Sequence, residues 1–188
     1  MDAHPLEAAR IKIGRAEEHI RELDREAGAF VSAVCRGPVP ARLSAIVGDA
    51  LSNMRASLDL TFWTLSLETG PKDPDRERLF FPIFANEAKF RSALPGFSRY
   101  ISAEAAAAVE RVQPFRTHNV ALAILRTLSN KDKHGFVGLG IRSKADAAPF
   151  ISFGDAALPV GPAVAVLSKI ARHIGADVLP QFEALLVS

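Results

Sequence analysis

Apolar residues recur at Leu6, Ala9, Ile13, Ala16, Ile20, Leu23, Ala27, Phe30 and Val34, with spacings that alternate three and four. A seam sustained over four heptads commits this stretch to one long helix with a narrow sticky face. Pro5 suits the first helical turn, where its missing N–H is not needed, and Glu7 suits the positive end of the helix dipole. Gly37, Pro38 and Pro40 end the helix. Charged residues flank the seam, so the helix packs against one or two neighbours and is not buried all round.

That helix needs a partner, and the next segment supplies one. Residues 41–68 carry Ile46, Val47, Ala50, Met54, Leu58, Thr61 and Leu65 on one face, and a short linker makes segments 1–35 and 41–68 a helical hairpin. The other side of the second helix holds Ser52, Arg55, Asp59 and Trp63. An apolar plug follows, Phe80-Phe81-Pro82-Ile83-Phe84, in which Pro82 argues against a central strand. Asn86 is placed to cap a short helix with Phe90 and Leu94, which Pro95-Gly96 should break. Ser102 caps an Ala-rich helix that Gln113-Pro114 stops. His118 or Asn119 opens a further helix with Val120, Ile124, Leu125 and Leu128 apolar. The period then shifts to that of strands at residues 136–141 and 150–153, giving a β-hairpin over 136–154. A terminal helix over 162–187 carries Ala163, Leu167, Ile170, Ile174, Val178, Phe182 and Leu185, and Gly175 and Pro180 should bend or split it. The expected fold is mainly α: a single domain over 1–188, with four main helices and a small β-hairpin between the last two.

Composition narrows the function classes. With 188 residues, 48% of them hydrophobic, the chain can bury a core without metal or disulfide staples. Cys35 is the only cysteine, which excludes an internal disulfide and cysteine-based zinc. The longest charge-free run, Ala156 to Ser168, is too short for a membrane span. The first residues lack a basic segment followed by an apolar one, so a cytoplasmic location is expected. No cofactor motif is present: there is no phosphate-cradling glycine loop before Lys-Ser/Thr, no His-Glu-x-x-His and no Gly-x-Ser-x-Gly. Glu17, Glu18 and Glu22 lie near His19 on one helix, and a metal site there would need ligands from a second helix; none is expected. The net charge is only +2, but residues 110–145 hold seven basic residues, Arg111, Arg116, Arg126, Lys131, Lys133, Arg142 and Lys144, against Glu110 and Asp132. These are the candidates for contacting nucleic acid or another acidic partner, although the same count also describes a solvated surface.

Two polar clusters interrupt the apolar helices. One is Asp49, Ser52, Asn53, Arg55, Ser57 and Asp59 in the second helix. The other is Asn130, Lys131, Asp132, Lys133 and His134 at the end of a later one. Short polar residues are poor helix formers, so their density implies a hydrogen-bond network between helices or a site. Arg55, Asp59, Asn130, Asp132 and His134 are the candidate functional residues. Burial favours their meeting, because an unpaired buried polar group costs roughly 1–3 kcal/mol.

The run Gly48-Asp49-Ala50-Leu51-Ser52-Asn53-Met54-Arg55-Ala56-Ser57-Leu58-Asp59 resembles the helix-two signature of a widespread bacterial family of helical proteins, whose members read Gly-Asp-Ala-Leu-His-Asn-Leu-Arg-Ser-Ala-Leu-Asp-His. Further blocks follow in the same order: Phe81-Pro82-Ile83, Gln113-Pro114-Phe115 and Asn130-Lys131-Asp132-Lys133-His134. No established activity travels with that family. Its Arg-x-x-x-x-His element is in turn similar to the motif of HEPN domains, helical bundles that are often dimeric and in many cases metal-independent ribonucleases. In that chemistry the His moves the proton of a ribose hydroxyl and the Arg stabilises charge on phosphate. Here Leu60 stands where the family has that His, Ser52 replaces the other helix-two His, and Gly135 replaces the Arg after His134. The resemblance therefore implies a helical protein that binds an unidentified protein or nucleic acid, as a homodimer if it follows HEPN domains. The alternative is a ribonuclease acting through His134.

Overall fold

The computed structural model describes residues 4–33, 38–70, 79–133, 137–142, 150–153 and 162–187. The chain is mainly α. In order it forms α1 (Glu7–Ala33), α2 (Ala41–Thr69), α3 (Glu87–Ser98), α4 (Ala103–Arg111), α5 (Pro114–Thr117), α6 (Ala121–Lys133), β1 (Leu139–Arg142), β2 (Phe150–Phe153), α7 (Ala163–Arg172), a π-helical turn (His173–Val178) and α8 (Leu179–Val187). Cys35, Lys144, the charged stretch 72–78, residues 143–149, where the sequence predicts a turn, and His134 lie outside the described residues.

The seam of α1 is buried from Leu6 through Ala27, and it packs along α2 and α7. The Ser57 hydroxyl donates to the Ala9 carbonyl across the α1–α2 contact, at 2.9 Å. The apolar face expected for α2 is buried throughout, but so are Leu51 and Phe62. One helix face accounts for the packing on α1; the plug and α6 cover a second. Phe81 stacks edge-on against Phe62 at 6.3 Å and Phe182 at 5.8 Å, joining α2 to α8 through the plug. Gly70 ends α2 where a Cβ would lie 1.9 Å from the Tyr100 carbonyl oxygen, so only glycine allows this approach.

Ser102 caps α4 by accepting from the Ala105 N–H, and Asn86 caps α3 by accepting from Lys89. Pro95 does not break α3, which continues to Ser98. Proline cannot donate to the carbonyl four residues back, that of Arg91, but both residues are exposed, where the loss of one helix bond costs least. Val120 is exposed and precedes α6, because Asn119 Oδ1 accepts from the Ala121 N–H and starts the helix there; Leu122 takes the buried place. The hairpin is antiparallel, with Leu139 opposite Phe153 and Ile141 opposite Ile151. Ile151 and Phe153 are buried, and β2 packs against α1 and α7.

The last helix is not split at Gly175 or Pro180. A π-helical turn spans His173–Val178 and the rod continues as α8. Its buried positions Ile170, Ile174, Val178 and Phe182 are four apart each time. In an α-helix such spacing drifts around the axis, whereas a wider turn keeps the stripe on one side.

Candidate functional site

The two polar clusters meet. Helix α6 lies across α2 so closely that a Cβ on Gly48 would sit 2.9 Å from Asp132 Oδ1. Glycine makes room here for a carboxylate. Burial raises the Asp132 carboxyl above its ordinary value, and the nearby Asp49 adds to the rise. Asp132 makes no hydrogen bond to a described side chain.

Arg55 and Asp59 are one helical turn apart on α2 and form an ion pair, Nη2 to Oδ1 at 2.8 Å. Both also hold the plug. Arg55 Nη2 donates to the Phe81 carbonyl at 2.7 Å, and the Phe81 N–H donates to Asp59 Oδ1 at 2.8 Å. Gln113, fully buried, completes this clasp: its Nε2 donates to the Pro82 and Val109 carbonyls, and its Oε1 accepts from the Phe84 N–H at 2.8 Å. Three side chains thus give an extended segment the main-chain bonds a neighbouring strand would supply. Sequence reasoning treats Gln113 only as a helix stop and a block residue; its burial role depends on a segment thirty residues away.

Two cavities flank Arg55. The outer one, about 340 Å³, has walls of Arg55, Phe80, Phe84, Arg126, Ser129 and Asn130. The other, called the inner slot because it lies nearer Asp132, is about 230 Å³ and is lined by Ser52, Arg55, Asp59, Ser129 and Asp132. Arg55 and Ser129 are common to both. Phe80 is 57% exposed at the outer cavity, and the Arg126 guanidinium lies 5.7 Å from the centroid of the Phe84 ring. Ser129 is 93% buried, and its Oγ has no hydrogen-bond partner. The nitrogens Nε and Nη2 of Arg55 are engaged, while Nη1 carries no bond to a described residue.

Other candidates fall elsewhere. Arg116 is committed to Glu110 and Glu87, and Arg91 joins the same carboxylates. Burial pushes the Glu110 carboxyl upward, but hydrogen bonds from Arg116 and Arg91 outweigh it and hold it below its ordinary value. Arg111 is exposed at the end of α4, Arg142 at the end of β1 and Lys131 on α6; the Lys133 side chain and Lys144 lie outside the described residues. Near His19, Glu22 is bonded to Arg42. Among the described residues no group of three or more His, Cys, Asp or Glu is arranged to hold a metal, and no helix is long and apolar enough to cross a membrane. A larger cleft of about 530 Å³ runs between α1 and α7 over Gly14, Ala171 and Gly175, with Arg10, Arg21 and Arg172 at its rim. It contains neither Ser129 Oγ nor His173 Nε2, the two buried side-chain polar atoms without a partner among the described residues.

In comparisons with known proteins, no family model, no curated protein and no solved structure matches the chain.

Proposed function

We propose that the protein is a binding module, not an enzyme, and that the α2–α6 cleft docks a single-stranded nucleic acid. The observation that carries this reading is an exposed phenylalanine, Phe80, sharing a cavity with Arg55 and Arg126. Single strands are held by aromatic faces on which bases stack and by cations beside them; each stacked base contributes about 1–3 kcal/mol. A binding role also accords with the bonds of Arg55 and Asp59. Arg55 Nη2 and Asp59 Oδ1 are engaged by the Phe81 backbone, which they position, Arg55 Nη1 alone faces a ligand, and Leu60 offers no proton carrier beside them.

Fluorescence anisotropy with labelled hexauridine tests this. Wild-type protein should bind, and binding should weaken steeply with added salt. Phe80→Ala and Arg126→Ala should each weaken it at least fivefold without lowering the melting temperature. Absence of binding, or binding indifferent to both substitutions, overturns the reading. RNA incubated in EDTA should remain as intact with wild-type protein as with His134→Ala; cleavage lost only in the variant would put the ribonuclease alternative first.

A further inference from the structure

The second of the two cavities beside Arg55 differs in character from the first. Asp59 and Asp132 line the inner slot, and Asp49 lies close enough to Asp132 to act on its carboxyl. A phosphate would be repelled there, so a docked strand must keep its backbone toward Arg126. Of the parts of a docked strand, phosphate, sugar and base, the one that carboxylates favour is a base edge with N–H donors. Asp132 offers two carboxylate oxygens and makes no bond to a described side chain. Ser129 is in the wall shared by both cavities, and its Oγ, buried in the rotamer seen, has no partner among the described residues, so a turn about χ1 toward a ligand gives up no bond to them. Arg55 Nη1 brings donors to the same wall.

We propose that the slot takes a guanine base of the bound strand, with Asp132 accepting its N1–H and N2–H and with Arg55 Nη1 and the Ser129 hydroxyl donating to O6. This rests on the nucleic-acid reading above and names the base that reading leaves open. The choice among bases follows from their Watson–Crick edges. A carboxylate pairs with two adjacent donors, and guanine alone presents two side by side with an acceptor next to them. Adenine and cytosine place a ring-nitrogen acceptor against the carboxylate. Uracil has one N–H between two carbonyls. A carbonyl oxygen has two lone pairs, so O6 can accept from both Arg55 and Ser129 after a turn about the serine χ1. The slot, at about 230 Å³, lies below the usual range for whole drug-sized ligands, which suits a single base whose sugar and phosphate stay outside.

Anisotropy with hexauridine carrying one internal guanine, adenine or inosine tests the assignment. The guanine strand should bind at least tenfold more tightly than the adenine strand. Inosine, which keeps N1–H and O6 but lacks the N2 amine, should lose most of that gain. The guanine-to-adenine ratio should fall in acid, because Asp132, whose carboxyl burial and Asp49 raise above its ordinary value, must be ionised to accept both hydrogen bonds. Asp132→Asn should bring the ratio near one and flatten the pH profile, with an unchanged circular dichroism spectrum as the fold control. Ser129→Ala, which removes a hydroxyl bonded to none of the described residues, should lower the ratio while keeping the melting temperature. If hexauridine binds and guanine and adenine strands bind equally, the guanine assignment fails and the docking surface stands. If no strand binds, both fail.

Discussion

Gln113 and Asp59 hold the plug by bonds that water cannot replace once the segment is covered. Gln113 is fully buried, and removing its amide orphans the Phe84 N–H and the Pro82 carbonyl together. Removing the Asp59 carboxylate orphans the Phe81 N–H and takes the ion-pair partner from Arg55. Glu18, by contrast, meets only Arg15 on an exposed turn of α1. Urea titration should therefore show Asp59→Ala and Gln113→Ala destabilising the protein by about 1–3 kcal/mol more than Glu18→Ala. Equal midpoints would mean that the plug is held by its phenylalanines alone. At this scale the sequence shows that Arg55 and Asp59 share a helix face. It does not show that their bonds run to Phe81, because that segment is distant in the chain and carries no periodic signal of its own.

Two glycines inside helices separate propensity from packing. A Cβ on Gly14 of α1 meets nothing within 4 Å, whereas one on Gly48 of α2 meets the Asp132 carboxylate. Glycine inside a helix costs about 0.5–1 kcal/mol relative to alanine. Gly14→Ala should gain that amount in thermal melts, and Gly48→Ala should gain clearly less, since the carboxylate must be pushed aside. In an Asp132→Ala background the two substitutions should gain alike. An equal gain in the wild-type background would show that α6 yields freely and that the slot is not a fixed cavity. The helices themselves are legible from spacing: the seam of α1, the caps Ser102 and Asn86, and the stripe of the terminal helix. The π-helical turn is present in the sequence only as consecutive spacings of four, which a bend or a break would also explain.

The two ends of the described chain are tied by Arg10 on α1 and Glu183 on α8, whose guanidinium and carboxylate pair twice at 2.5 Å. Hydrogen bonds from Arg10 hold the Glu183 carboxyl below its ordinary 4.5, against the opposing effect of burial. A carboxylate lowered on folding stabilises the native state above its unfolded pKa, and that contribution fades as pH falls through the folded value. Glu183→Gln should thus lower the melting temperature at pH 7, by an effect worth less than about 1 kcal/mol for so exposed an arginine, and should change little near pH 2. A difference persisting in acid would assign the effect to packing. What the chain specifies locally is therefore its helices, its hairpin strands and its two polar clusters, since periodicity and capping act within a few residues of each other. The meeting of those clusters, the clasp on the plug and the cavities around Arg55 and Ser129 depend on how α6 crosses α2. That crossing is decided only when the whole core closes, because it is set by the shapes of buried side chains drawn from every part of the chain.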